Sequence, residues 1–184
     1  MTRGAFLDRD GVINAVWVDE AGVSHPPPSV AELTILDGVD EGIARLREAG
    51  FRLVVVSNQP DVSRGTQSAA EVHAINRVLD ARFNFDAIRV CFHDRADACA
   101  CRKPQPGMLV DAAAELGIDL RESVMIGDRA TDIEAGRRVS CHTVLVAPVG
   151  SPSHGADFVA PSLRDAAEWV VSHLTSTDSL TAVS

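Results

Sequence analysis

Short apolar runs rich in β-branched residues alternate with amphipathic stretches along most of the chain, and this alternation limits the possible folds more than any other feature. Runs that are apolar at almost every position are typical of strands buried on both faces of a sheet. These runs are residues 5–7, 51–56, 87–90, 124–126 and 142–146. Helical patterns lie between them at residues 39–49, 69–83, 107–116 and 130–138. Repeated strand–helix–strand units predict an α/β fold with a doubly wound, mostly parallel sheet.

The length and charge of the chain are typical of one domain that binds a small solute. The 184 residues suffice for a single core, which we place in residues 1–174, and the Ser- and Thr-rich segment 175–184 is expected to be a disordered tail. A net charge of -9, spread along the chain, argues against nucleic acid or a membrane as the main partner. The N-terminal residues include no long apolar run, so we expect a cytoplasmic protein, and we expect it to be a monomer.

Polar clusters follow four of the predicted strands, at the place where parallel α/β sheets bind their ligands. They occupy residues 8–11, 57–59, 91–103 and 127–128. One polar cluster after a strand is ordinary, because every strand must end. Four clusters, all with residue types suited to phosphate or metal chemistry, indicate a single site at this edge of the sheet.

Asp8 and Asp10 lie two residues apart at the end of the first apolar run, so both carboxylates can face one ligand. One could attack phosphorus as a nucleophile, while the other donates a proton to the leaving oxygen and later accepts one from water. Gly11 permits the tight turn that follows. Asp-x-Asp-Gly also occurs in ordinary turns and in calcium loops, but Val12 and Asn14 supply no further acidic ligands, which excludes a calcium loop.

A divalent cation is expected to offset the charge of a transferring phosphoryl group. The predicted Mg²⁺ ligands are Asp8, Asp128 and the main-chain carbonyl of Asp10. Taken alone, an aspartate after an apolar strand is more typical of a helix N-cap than of a metal site. Asp132, one helical turn further on, either orients Lys103 or contacts a metal-bound water.

Lys103, Ser57 and Asn58 are the predicted phosphate ligands. Lys103 supplies a cation for the phosphate oxygens, and Ser57 and Asn58 can donate hydrogen bonds to them. Separately, a lysine is most often a solvated surface charge and a Ser-Asn pair most often part of a turn. Their joint occurrence after predicted strands favours a phosphate-binding cradle.

Three cysteines and one histidine form two closely spaced pairs, Cys91 with His93 and Cys99 with Cys101. Three thiolates and one imidazole make up a closed tetrahedral zinc site, which leaves no position for a catalytic water. The site is therefore predicted to be structural, on a zinc loop formed by residues 91–101. The alternative is a set of buried cysteines beside a chance histidine.

Residues 12–36 separate the first strand from its helix by more than a typical connection. The segment contains Trp17, a turn at Gly22 and three consecutive prolines at 26–28. We interpret it as a flap over the site, and an ordinary surface loop is the alternative.

With these motifs the chain resembles the haloacid-dehalogenase (HAD) superfamily of aspartate-nucleophile phosphatases, over about residues 4–147. The four motifs lie at residues 8–11, 57–59, 103–104 and 127–132. Because no helical cap domain is inserted between them, the chain resembles a capless member with a Rossmann-like fold. The resemblance implies a Mg²⁺-dependent phosphatase with Asp8 as nucleophile and Asp10 as acid/base. It also implies that Arg102 recognises the substrate beyond its phosphate.

The zinc loop narrows the resemblance to two subfamilies, the heptose 1,7-bisphosphate 7-phosphatases and the histidinol-phosphate phosphatases. Residues 10–14, 62–65 and 101–108 are similar to the former. Residues 127–133 and the five-residue gap in the zinc loop are similar to the latter. We favour the heptose group, and hence a sugar bisphosphate as substrate, although the flap is longer than that group usually has.

Two other functions are alternatives to these. A nucleic-acid 3′-end phosphatase would need a basic groove, which the composition does not indicate. An inactive HAD-like scaffold that binds nucleic acid through its zinc loop is disfavoured by the negative net charge and by the presence of every catalytic motif.

Overall fold

A computed structural model describes residues 2–175 of the chain. Its strands and helices are β1 (Gly4–Leu7), β2 (Trp17–Val18), β3 (Ser24–His25), α1 (Val39–Glu48), β4 (Arg52–Asn58), α2 (Ala69–Phe83), β5 (Ala87–Cys91), α3 (Gly107–Leu116), β6 (Val124–Gly127), α4 (Ala130–Arg138), β7 (His142–Val146), β8 (Phe158–Ala160) and α5 (Leu163–Leu174). The predicted strands and helices are present, and β8 and α5 follow them. Most of the predicted tail, residues 176–184, lies outside the described residues.

Six strands form one parallel sheet in the order β5-β4-β1-β6-β7-β8, which confirms the predicted doubly wound α/β fold. The chain runs outward from β1 through β4 to β5 and then returns to β6 on the other side of β1. The strand order therefore reverses at β1, and such a reversal opens a crevice at the carboxyl ends of the strands. Asp8 follows β1 and Asp128 follows β6, so both lie at this crevice.

Helices cover both faces of the sheet because its strands are apolar on both sides. Ala5 and Leu7 of β1 belong to a core layer with α1, α2 and α5, and Phe6 belongs to the opposite layer with α3 and α4. Alternate residues of a strand point to opposite faces, which explains why every residue of β1 is buried. The Ser68 side chain caps the start of α2 by accepting from Glu71 N at 3.1 Å.

The flap, residues 12–36, contains a small antiparallel hairpin in which Trp17 of β2 pairs with His25 of β3. A 3₁₀ turn at Val30–Glu32 then leads towards α1. No helical domain is inserted between the sheet strands within residues 2–175. Over the same residues, none of the helices combines the length and the apolar character that crossing a membrane requires.

Candidate active site

Three carboxylates meet where β1 and β6 end. One oxygen from each of Asp8, Asp128 and Asp132 lies within 4.8 Å of the others. Two glycines permit this close approach. A Cβ on Gly11, where φ is +89°, would lie 2.3 Å from Asp128 Oδ2, and a Cβ on Gly127 would lie 2.2 Å from Asp132 Cβ. Only glycine fits at either position without displacing a carboxylate.

The buried Lys103 forms salt bridges with two of these carboxylates. Its Nζ lies 2.8 Å from Asp8 Oδ1 and 2.7 Å from Asp132 Oδ1, and it donates to Val56 O at 2.7 Å. Burial by itself would lower the pKa of Lys103, but Asp132 and Asp8 raise it above its ordinary value, so the ammonium group stays charged. The other oxygen of Asp132 accepts from Arg129 N at 3.0 Å. Both oxygens of Asp132 have protein partners, which favours a role in orienting Lys103 over contact with a metal-bound water.

Asp128 is the carboxylate that best fits a metal ion. Its Oδ1 is buried without a hydrogen-bond partner, and the N-cap of α4 is Arg129, so Asp128 is not a helix cap. Burial raises the pKa of Asp128 to about 8, and the charges of Asp8 and Asp132 add to this effect. Three carboxylates facing one lysine leave an excess of negative charge. A hard divalent cation such as Mg²⁺ fits this donor set, with Asp8 and Asp128 as side-chain ligands.

Asp10 is held by a buried network that the sequence motifs do not indicate. Arg9, which is fully buried, donates to both carboxylate oxygens of Asp10 at 3.0–3.1 Å. Asn14 donates to Oδ1 at 2.9 Å and Gln59 to Oδ2 at 2.5 Å. Arg9 is held in turn by Asn76 Oδ1 at 3.0 Å. Together these contacts fix the orientation of the Asp10 side chain at the end of β1.

The two predicted phosphate ligands of β4 have different surroundings. Ser57 is buried, and its hydroxyl accepts from Gln59 Nε2 at 2.8 Å while keeping its own hydrogen to donate. The Asn58 amide exchanges two hydrogen bonds with the main chain of Lys103, at 3.0 and 3.1 Å. Asn58 therefore fixes the Lys103 backbone, and its role as a direct phosphate ligand stays a prediction.

The four predicted zinc ligands converge. Their ligand atoms lie within 4.8 Å of one another, and the sulfur of Cys101 is 3.1 Å from that of Cys91 and 3.4 Å from that of Cys99. His93 Nδ1 lies 3.3 Å from the Cys101 sulfur. A zinc tetrahedron with Zn–S bonds of about 2.3 Å has edges of about 3.8 Å, so the four atoms need only small outward shifts to hold the ion. None of the four cysteines is in a disulfide, so the three in this cluster can bind zinc as thiolates.

A cavity of about 490 Å³ opens above the carboxylates, a volume suited to a sugar-sized ligand. Buried residues including Asp8, Asp10 and Lys103 line its floor. Residues 23–26 of the flap and the predicted recognition residue Arg102 also line it. The flap thus contributes directly to the wall of the site.

Comparisons with known proteins agree with this architecture. Residues 100–166 match the HAD-hydrolase-like family model. A D-glycero-D-manno-heptose-1,7-bisphosphate 7-phosphatase from Thermosynechococcus vestitus is 35% identical over 92% of this chain and 95% of its own length. A D-glycero-beta-D-manno-heptose-1,7-bisphosphate 7-phosphatase from Escherichia coli K12 is 32% identical over 92% of this chain and 88% of its own.

A solved structure is similar as well. The crystal structure of D,D-heptose 1,7-bisphosphate phosphatase from B. bronchiseptica, complexed with magnesium and phosphate, superposes with a TM-score of 0.77 at 31% identity, covering 93% of this chain and 99% of that one. The chain belongs to the HAD superfamily, in the family that contains these heptose-bisphosphate phosphatases. It is accordingly a HAD-type phosphoric monoester hydrolase.

Proposed function

We propose that this chain removes the 7-phosphate of D-glycero-D-manno-heptose 1,7-bisphosphate through an aspartyl-phosphate on Asp8. The observation that carries the chemistry is the convergence of Asp8, Asp128 and Asp132 around Lys103, with one Asp128 oxygen buried and unpaired. The choice of substrate is supported by relatives that are named as 7-phosphatases of this heptose bisphosphate and align with more than nine-tenths of the chain.

The reaction has two steps at one phosphorus atom. In the first, a carboxylate oxygen of Asp8 bonds to phosphorus, the bond to the sugar oxygen breaks, and Asp10 gives its proton to that oxygen. In the second, Asp10 takes a proton from water, whose oxygen attacks the same phosphorus and releases inorganic phosphate and free Asp8. Arg9, Asn14 and Gln59 hold the Asp10 side chain in one orientation for both proton transfers.

Positive charge is needed beside the phosphoryl oxygens in both steps. When bound by Asp8 and Asp128, Mg²⁺ supplies electrostatic stabilisation of the transferring group. Lys103 supplies the protein's own positive charge, and Asp132 and the Asn58 amide hold it in place. Cys91, His93, Cys99 and Cys101 would hold a structural zinc ion, which would stiffen the segment that leads into Lys103.

The test is phosphate release from heptose 1,7-bisphosphate and from histidinol phosphate, measured side by side with Mg²⁺. Histidinol phosphate is included because the gap between His93 and Cys99 is only five residues. We expect a kcat/KM at least about a hundredfold higher for the heptose substrate, equivalent to about 2.7 kcal/mol of transition-state binding. A comparable preference for histidinol phosphate would refute the proposed substrate while leaving the phosphatase chemistry intact.

A further inference from the structure

The cavity has opposite charges at its floor and its rim. Buried carboxylates lie at the floor, whereas the more exposed wall contains four arginines, Arg64, Arg95, Arg102 and Arg129, against two aspartates, Asp61 and Asp94. The volume of about 490 Å³ exceeds what one phosphoryl group needs. A second anionic group on the substrate would be repelled by the floor and attracted by the rim.

Three of these arginines already have partners. Arg64 forms a two-point salt bridge with Asp94, at 2.7 and 2.8 Å. Arg102 donates to a main-chain carbonyl at 3.0 Å, and Arg129 lies 3.8 Å from a carboxylate of the proposed metal site. Within residues 2–175, the guanidinium group of Arg95 has no hydrogen-bond or salt-bridge partner. All five of its N–H donors are available to a ligand in the cavity.

The backbone that carries Arg95 is nevertheless firmly held. Asp94 accepts from Arg95 N at 2.6 Å, and the Asp97 side chain accepts from Asp94 N at 2.7 Å. The same Asp94 carboxylate binds Arg64, which ties this part of the zinc loop to the loop after β4. A free guanidinium on a fixed backbone loses less conformational entropy when it binds than one on a mobile loop would lose.

We propose that Arg95 is a specificity-determining residue that binds the second phosphoryl group of the substrate, the one that is not hydrolysed. A planar guanidinium matches phosphate oxygens with two parallel hydrogen bonds, which an ammonium group does not. This role rests on the proposed function, since it assumes a bisphosphorylated sugar. With this role for Arg95, the short zinc loop would contribute to substrate recognition as well as to the stability of the fold.

The experiment compares Arg95→Ala with wild type on heptose 1,7-bisphosphate and on p-nitrophenyl phosphate, which has a single phosphoryl group. For the bisphosphate we expect KM to rise roughly 10- to 100-fold, the usual loss for a charged hydrogen-bonded contact. For p-nitrophenyl phosphate we expect the KM of Arg95→Ala to equal that of wild type. Arg95→Lys should recover part of the loss. Arg121→Ala removes another exposed arginine, one that does not line the cavity; it is the matched control and should leave KM unchanged for both substrates.

An unchanged KM for the bisphosphate, or equal losses on both substrates, would overturn the role of Arg95. If the wild type hydrolyses p-nitrophenyl phosphate but not the heptose substrate, the proposed function fails separately. Arg95 is then tested by inhibition of p-nitrophenyl phosphate hydrolysis. Fructose 1,6-bisphosphate should inhibit Arg95→Ala less strongly than wild type, while fructose 6-phosphate should inhibit both equally. Equal weakening of both inhibitors would again refute the role.

Discussion

Replacing Asp128 by Asn is expected to stabilise the metal-free protein while it destroys the activity. Burial, followed by the charges of Asp8 and Asp132, raises the pKa of Asp128 from 3.8 to about 8. A carboxyl whose pKa is raised on folding lowers stability above its unfolded pKa, by about 1.4 kcal/mol per pH unit until the folded pKa is reached. The interval between the unfolded pKa and pH 7 is about three units, so ionised Asp128 lowers the free energy of unfolding by at most about 4 kcal/mol. Asp128→Asn removes this loss.

The assay is denaturant unfolding in EDTA across a range of pH. The gain in free energy of unfolding of Asp128→Asn over wild type should be near zero at pH 4, grow as the pH rises, and become constant above about pH 8. At pH 7 the corresponding gain in Tm is at most roughly 8–16 °C for a chain of this size. Saturating Mg²⁺ should stabilise the wild type and leave the variant unchanged, because the variant lacks a ligand.

Asp111→Asn removes the same charge from an exposed position on α3 and is the control, with an expected change within about 0.5 kcal/mol. The reasoning would be refuted if Asp128→Asn were less stable than wild type in EDTA at pH 7. It would also be refuted if its advantage did not depend on pH.

Four further perturbations test the rest of the site. Asp8→Asn should abolish Mg²⁺-dependent phosphate release and Asp10→Asn should lower kcat about 10²- to 10⁴-fold; normal turnover by Asp8→Asn would exclude it as nucleophile. Gly11→Ala should weaken Mg²⁺ binding, measured calorimetrically, because its Cβ would meet a carboxylate oxygen at 2.3 Å. Gly65→Ala, at a similar positive φ but in open space, should lose only about 1 kcal/mol of stability and bind Mg²⁺ normally. Cys99→Ser, or removal of zinc by a chelator, should lower Tm, and an unchanged Tm after verified zinc loss would contradict a structural role.

The sequence was sufficient to predict the fold and the place of the site, because both follow from local pattern. Apolar runs predict strands, and the polar residues after them must meet at one edge of a parallel sheet. This reasoning led from separate motifs to the cluster of Asp8, Asp128 and Lys103. It left the role of Asp132 open, since a carboxylate one turn into a helix can face either a lysine or a metal. The contacts of its two oxygens favour the lysine.

Other parts of the site depend on contacts that no local pattern reveals. Arginine is seldom buried, so nothing in the sequence marks Arg9 as fully buried between Asp10 and Asn76, which lies 67 residues away. The only available signal was a charged residue between two aspartates at the end of an apolar strand. Likewise, the pairing of Asn58 with the Lys103 backbone spans 45 residues and depends on the tertiary fold.

The most direct test of the central claim is to identify the phosphorylated residue. The reaction is quenched by acid during turnover, reduced with borohydride, which converts an aspartyl-phosphate to homoserine, and digested with trypsin. Cleavage after Arg3 and Arg9 releases residues 4–9, in which Asp8 is the one acidic side chain. We predict homoserine at position 8 in the presence of substrate and Mg²⁺. An unmodified 4–9 peptide during active phosphate release, or modification in the peptide that contains Asp10, would contradict the mechanism.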